Sequence, residues 1–266
     1  MNFKRTANAY LILIGGKEDK DREKIILRET VKISNANKVA IIPTASSIPG
    51  RLSRDYIIAF SKLGVGSVEV LDIRYRDEAD KEKYLKIVEE TDLIFFTGGD
   101  QERLVKILNG SKLLQQIKTR HQNGMAIAGT SAGAAAASNP MIFQGTQHGF
   151  SKGTVNHSEG FGFIENVTID THFVRRKRIS RLAQFLSGGI SNFGIGLAED
   201  TAIIISPDNT FKVIGSGAVT ILNSKEMHYT DYHEIKDNEQ ITSDGMNLSF
   251  LFSGTVFDLN KEIVKK

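Results

Sequence analysis

The sequence predicts an α/β fold with a mostly parallel sheet sandwiched between helices, and three observations carry that prediction. Short continuous apolar runs alternate with charged segments of helical period through the first half of the chain. The runs are four to six residues long and, apart from Val68 to Ile73 with its Glu69 and Asp72, are nearly free of polar residues, as strands buried on both faces are. Most of them end in Gly, Thr or Ser, the residues that loops at strand ends require. The elements follow in order. Tyr10 to Ile14 reads as a strand and Lys20 to Ile33 as an amphipathic helix. Val39 to Ile42 is a strand stopped by Pro43, and Ser53 to Leu63 a helix. Val68 to Ile73 is a strand, Lys81 to Glu90 a helix, and Leu93 to Phe96 a strand. Helices are expected over Gln101 to Leu108 and Lys112 to His121, followed by a strand from Met125.

The second half reads differently. Pro140 to Gly162 is Gly-rich and irregular, suited to a lid or crossover loop. Val167 to Asp170, Ile195 to Leu197 and Ala202 to Ile205 read as further strands. From about residue 207 to 266 short strands and turns such as Pro207-Asp208-Asn209 indicate a small antiparallel extension. No composition break, repeat or low-complexity stretch divides the chain, so residues 1–266 are read as one domain.

Composition bounds the function classes. The 266 residues are 40% hydrophobic and 24% charged, as in an ordinary globular protein. A net charge of +3 and the lack of aromatics among the basic residues give no footprint for nucleic acid. With no cysteine, disulfides, thiolate metal sites and a cysteine nucleophile are excluded. Lys4 and Arg5 precede a short apolar stretch, Ala7 to Ile14, which reads as a first strand rather than a leader. No run reaches the roughly 18 apolar residues of a membrane span. A soluble cytoplasmic protein without metal or cofactor is the expectation.

Ser131 is the candidate nucleophile. It sits in Gly129-Thr130-Ser131-Ala132-Gly133, between the apolar run Met125 to Ala128 and a helix-forming stretch, Ala132 to Ala137. Strand, Gly-x-Ser-x-Gly turn and helix make a nucleophile elbow, in which glycines permit the turn and the helix N-terminus offers N–H groups to an oxyanion. Such a serine needs a base and a group to orient that base. His172 follows an apolar strand in Ile169-Asp170-Thr171-His172-Phe173, which puts it at a strand end. The other five histidines have simpler readings. His121 closes a helix, His148 and His157 fall in the irregular segment, and His228 and His233 lie in the terminal β region. Glu199, after Gly194-Ile195-Gly196-Leu197-Ala198, is the matching carboxylate, with Asp200 its competitor. The order Ser, His, Glu differs from the Ser, acid, His order of α/β-hydrolases, which would have to recruit His228 or His233.

Five stretches together resemble the cyanophycinases. They are Ile14-Gly15-Gly16-Lys17-Glu18-Asp19-Lys20, Phe96-Thr97-Gly98-Gly99-Asp100-Gln101, Gly129 to Ala134, Asp170-Thr171-His172-Phe173 with Arg176, Arg178, Arg181 and Leu182, and Gly194 to Ala202. They keep the family's order and span roughly three-quarters of the chain. These enzymes are serine exopeptidases related to aspartyl dipeptidases, with an architecture like that of the class I glutamine amidotransferases. The resemblance implies a triad of Ser131, His172 and Glu199 and an oxyanion hole from the N–H groups of Gly99 and Ala132. It implies cyanophycin as substrate, released as β-Asp-Arg dipeptides, and a homodimer. Gln101, Asp170, Thr171, Arg176, Arg178 and Arg181 would be the substrate contacts. Five cations fall within seven residues, Arg175 to Arg181. Arginine's planar fork suits the carboxylates of such a polymer, while Gln101 and Asp170 supply acceptors for its guanidinium groups. Where many cyanophycinases have Gln between the Asp and the His, this chain has Thr171. Two other readings stand beside this one: an aspartyl dipeptidase acting on short peptides, and a non-catalytic module that binds acidic polymers.

Overall fold

The computed structural model describes residues 7–145 and 150–265. Lys4, Arg5 and His148, read from the sequence above, lie outside the described residues. Five parallel strands form one half of a nine-stranded sheet: β1 (Leu11–Ile14), β2 (Lys38–Ile42), β3 (Ser67–Val70), β4 (Leu93–Phe96) and β5 (Ala126–Thr130). Their spatial order is β3-β2-β4-β5-β1. Ile14 stands opposite Thr130 and Phe96 opposite Gly129, so β1, β4 and β5 end at one level. The loops after them open side by side, in the crevice where open α/β sheets place ligands.

Alternate residues of these strands feed two cores, as the period of two requires. Ile12, Ile14, Val39, Ile41, Leu93 and Phe95 pack under α1 (Ile25–Ser34) and α2 (Pro49–Lys62), against Leu27, Tyr56 and Phe60. Leu11, Leu13, Ala40, Ile42, Ile94 and Phe96 face the opposite side. There they meet α3 (Glu82–Glu90), α4 (Gln101–Leu108), α5 (Lys112–Gln122) and α6 (Ala132–Ala137). Helices thus cover both faces, as expected.

Two expectations change. The sheet is mixed rather than mostly parallel, because strand Thr201–Ile205 pairs antiparallel with β1 and is followed by Thr210–Gly215, Val256–Asp258 and Ile263–Val264, all antiparallel. Residues after 206 are therefore not an appendage: they complete this sheet and contribute Val219–Asn223 and Asn247–Leu251 to a second one. That second sheet runs Thr168–Asp170, Phe193–Leu197, Val219–Asn223, Asn247–Leu251. One face of it packs through Ile169, Ile195, Leu197 and Ile221 into the same core as Ile203, Ile205 and Phe211. Its other face holds Phe173 and Leu222 against Leu182, Phe185 and Leu186, all three on α7 (Ile179–Ser187).

Helix α1 begins later than its periodicity suggests. The Asp19 carboxyl accepts N–H bonds from Asp21 (3.0 Å), Arg22 (2.9 Å) and Lys24 (2.9 Å), winding those residues into a turn before the helix can start. These backbone donors, Arg22 and Lys24 first, hold the Asp19 carboxyl at about 2. In the segment read as irregular, Met141–Gly145 and Val155–Ser158 pair as antiparallel strands.

Candidate active site

Ser131 follows β5 directly and takes φ 52°, ψ −109°, a sparsely populated conformation for a residue with a side chain. The serine itself makes the sharp turn, and the flanking glycines serve another purpose. A Cβ on Gly129 would lie 2.5 Å from the Gly133 carbonyl, so those glycines let α6 sit directly against its strand. Every residue of α6 is buried. The Ser131 N–H donates to the Ile14 carbonyl (2.9 Å), which anchors the turn to the end of β1.

His172 and Glu199 come from the second sheet. Strands Thr168–Asp170 and Phe193–Leu197 are parallel neighbours with Asp170 opposite Gly196. His172 and Glu199 each stand two residues past their strand, so both leave the sheet at the same edge. The Phe173 N–H donates to the Leu197 carbonyl (3.0 Å) and fixes the spacing there. Between the two sheets lies the loop after β1. Its Gly15 carbonyl accepts the His172 N–H (2.9 Å) and its Gly16 carbonyl the Asp200 N–H (2.9 Å). Gly16, at φ 98°, lies flat against the imidazole: a Cβ there would be 2.5 Å from His172 Cε1.

The three side chains form one chain of hydrogen bonds. Ser131 Oγ lies 2.9 Å from His172 Nε2, and His172 Nδ1 lies 2.8 Å from Glu199 Oε1. Lys17 Nζ approaches the same Glu199 oxygen at 3.1 Å. Burial pushes the Glu199 carboxyl up, but the bonds from His172 and Lys17 outweigh it and hold the group below the ordinary glutamate value. For His172 burial is the largest influence. With help from the Arg176 and Arg178 charges, it overcomes the pull of Glu199 and brings the imidazole below 6.5. A neutral imidazole bonded at Nδ1 to a carboxylate leaves Nε2 free to accept the serine proton. Asp200 does not compete for that place: its carboxyl accepts the Asp19 N–H (3.1 Å) and the Ser216 hydroxyl (2.7 Å).

Ala132 follows the serine directly, and Gly99 follows Gly98, where an added Cβ would lie 3.2 Å from Ser131 Cβ. Gly99, at φ 146°, brings its backbone so close to the loop after β2 that a Cβ would lie 2.0 Å from the Ala45 carbonyl oxygen. Neither N–H, of Gly99 or of Ala132, has an acceptor among the described residues. Two such free donors would suit an oxyanion developing beside Ser131.

The basic run divides by burial. Arg175, Arg176 and Lys177 are exposed and Arg178 is half-buried, whereas Arg181 is 2% exposed on α7. Arg181 grips the Asp170 carboxyl with two hydrogen bonds, one of 2.7 Å from Nε. Arg178 reaches the same carboxyl (3.1 Å) and the Thr171 carbonyl (2.7 Å). Asp170, 1% exposed, is thus engaged by two of the chain's own guanidinium groups, and Thr171 is buried beside it. Burial, partly offset by Asp170, lowers Arg178 to about 10. The Gln101 amide donates to the Ile142 and Phe143 carbonyls (3.2 Å each), while its oxygen accepts nothing among the described residues. Of the remaining histidines, His121 is buried with Nδ1 2.8 Å from the Met125 carbonyl, and His157 stacks edge-on to Phe185. His228 and His233 are exposed. No group of three or more His, Asp or Glu among the described residues is placed to hold a metal ion. No helix among them is long and apolar enough to cross a membrane.

Sequence reasoning assigned no role to Lys17 or Glu18. The signal was present in the loop Gly15-Gly16-Lys17-Glu18-Asp19, whose two glycines precede three charges immediately after a buried strand.

Comparison with known proteins agrees over nearly the whole chain. The cyanophycinase of Trichormus variabilis is 33% identical over 268 residues, covering 99% of this chain and 90% of that protein. The cyanophycinase of Geminocystis herdmanii is 34% identical over 256 residues, covering 95% and 94%. Among solved structures, a peptidase from an acI-B1 Actinobacterium has the same fold, with TM-score 0.70, 22% identity and coverage of 96% and 98%. The model of peptidase family S51 matches residues 11–214, and the chain belongs to that family.

Proposed function

We propose that this chain is a serine exopeptidase that hydrolyses cyanophycin, multi-L-arginyl-poly-L-aspartate, to β-Asp-Arg dipeptides through an acyl-enzyme on Ser131. The observation that carries the reading is the hydrogen-bond chain from Ser131 Oγ through His172 to Glu199, in a protein whose relatives are cyanophycinases. His172 Nε2 takes the Ser131 proton as Oγ attacks the carbonyl carbon of an aspartyl residue. The oxyanion accepts hydrogen bonds from the N–H groups of Gly99 and Ala132. As the tetrahedral intermediate collapses, the C–N bond breaks and protonated His172 gives its proton to the leaving amine. Water, deprotonated by the same imidazole, then releases the acid and restores Ser131. Glu199 holds the imidazole by Nδ1 and stabilises its charge throughout.

Exposed Arg176, with Gln101 and the outward side of Arg178, supports recognition of a substrate bearing both carboxylate and guanidinium groups. Asp170 and Arg181 act within this reading by holding Thr171 and Arg178 in place rather than by touching substrate. The chain is read as one α/β peptidase domain of the class I glutamine amidotransferase-like type. The family resemblance supports a homodimer, and a chain without cysteine fits the cytoplasm. Comparing kcat/KM on cyanophycin with that on short aspartyl dipeptides tests the substrate. Preference for the polymer supports the proposal, and preference for dipeptides makes the chain an aspartyl dipeptidase.

A further inference from the structure

Glu18 is 2% exposed and lies in the loop after β1, yet it takes no part in the chemistry described above. Both of its oxygens accept hydrogen bonds. Thr130 Oγ1 donates to Oε2 (2.7 Å), and the Tyr56 hydroxyl, from α2, donates to Oε1. Tyr56 is itself buried, and burial together with the neighbouring Glu18 raises its hydroxyl well above 10, so it stays a donor. No Lys, Arg or His among the described residues forms an ion pair with Glu18. A carboxyl group buried without a cation is costly, and an apolar side chain would fill the place at less cost.

What Glu18 grips explains its presence. Thr130 is the residue before Ser131, whose conformation at φ 52°, ψ −109° relaxes unless its neighbours hold it. The peptide between them is pinned on both sides by the same segment of chain. The Ser131 N–H is tied to the Ile14 carbonyl, and the Thr130 side chain is tied to Glu18, four residues further on. That segment also carries the Gly15 carbonyl on His172 and Lys17 on Glu199. We propose that Glu18 is a positioning residue that holds Thr130, and through it the strained Ser131 turn, in register with His172. The inference rests on Ser131 being the nucleophile, as the function above has it.

The test pairs Glu18→Gln with Thr130→Val and Thr130→Ser, measuring kcat and KM on cyanophycin and the rate of Ser131 sulfonylation by phenylmethylsulfonyl fluoride. An amide has only one acceptor oxygen for two hydroxyl donors, and valine keeps the shape of threonine without the donor. Displacement of a nucleophile by a fraction of an ångström to 1 Å lowers kcat by about 10-fold to 100-fold. Glu18→Gln and Thr130→Val are each expected to show that loss with KM within about twofold, and sulfonylation slowed in parallel. Thr130→Ser restores the donor and recovers most of the rate. The double variant is no slower than the worse single one, because both substitutions act on the one contact between residue 18 and residue 130. Folded Thr130→Val with wild-type kcat overturns the proposal, as does Thr130→Ser that is as slow as Thr130→Val. Thr130→Val decides the matter if Glu18→Gln does not fold. Wild type inert on cyanophycin counts against the substrate reading alone, since sulfonylation rates then still decide the role of Glu18.

Discussion

Gly16→Ala is the most demanding test of how the site is held together. The added Cβ would lie 2.5 Å from His172 Cε1 and 2.6 Å from Nε2. Carbon atoms in contact settle at about 3.5–4.0 Å, so the imidazole must retreat by about 1 Å. A 2.9 Å hydrogen bond from Ser131 does not survive a shift of that size. Misplacement on this scale costs about 100-fold in rate. Residue 16 also sits at φ 98°, so the alanine adds backbone strain of about 1–3 kcal/mol. Gly64→Ala separates the two effects. Gly64 has φ 85°, with nothing within 4 Å of where its Cβ would be. It should therefore lose comparable stability at undiminished kcat. Steady-state hydrolysis and thermal unfolding of both variants give the comparison. If Gly16→Ala keeps kcat/KM within about threefold of wild type, or if Gly64→Ala loses as much activity, packing of the loop against the imidazole does not position the base.

Further predictions follow from the same geometry. His172 must be neutral to accept a proton, and burial holds its imidazole below the ordinary histidine value, so the acid limb of kcat/KM should have its midpoint below that of an ordinary histidine; a midpoint at or above the ordinary value contradicts the assignment. Glu199→Gln removes the carboxylate that orients His172 Nδ1 and stabilises imidazolium, and should lower kcat by about 10²–10⁴-fold while the fold persists, as measured by hydrolysis beside circular dichroism. Arg181→Met leaves buried Asp170 with Arg178 as its remaining cation and should destabilise the protein by about 3 kcal/mol, the low end for a broken buried pair, in urea titration. Arg176→Ala alters an exposed side chain and should raise KM for cyanophycin with little change in stability.

The parallel half of the fold was legible because four of its five strands are nearly continuous apolar runs with a loop signal at the end, and local pattern decides such elements; β3, Ser-Val-Glu-Val, is the exception. Val39 to Ile42 and Leu93 to Phe96 needed no distant partner to be read. The antiparallel half was not legible in that way. Thr210–Gly215 and Val219–Asn223 are close in sequence yet belong to different sheets, a choice made by long-range packing of Phe211 and Ile221 rather than by either strand alone. Ser131, His172 and Glu199 were read together because each closes an apolar run, and the structure brings them within hydrogen-bond distance although the last two follow strands of a separate sheet. The pairing of Asp170 with Arg178 and Arg181, eight and eleven residues on, was not legible because nothing in the basic run itself shows that α7 turns Arg181 inward. Glu18 stayed hidden because its partners, Tyr56 and Thr130, are 38 and 112 residues away.

The central claim is tested most directly by incubating purified cyanophycin with wild type and with Ser131→Ala and reading the soluble products by mass spectrometry. The account predicts β-Asp-Arg release by wild type and none by Ser131→Ala. Release that persists in Ser131→Ala would contradict Ser131 as nucleophile, and a folded wild type that releases no dipeptide would contradict the substrate.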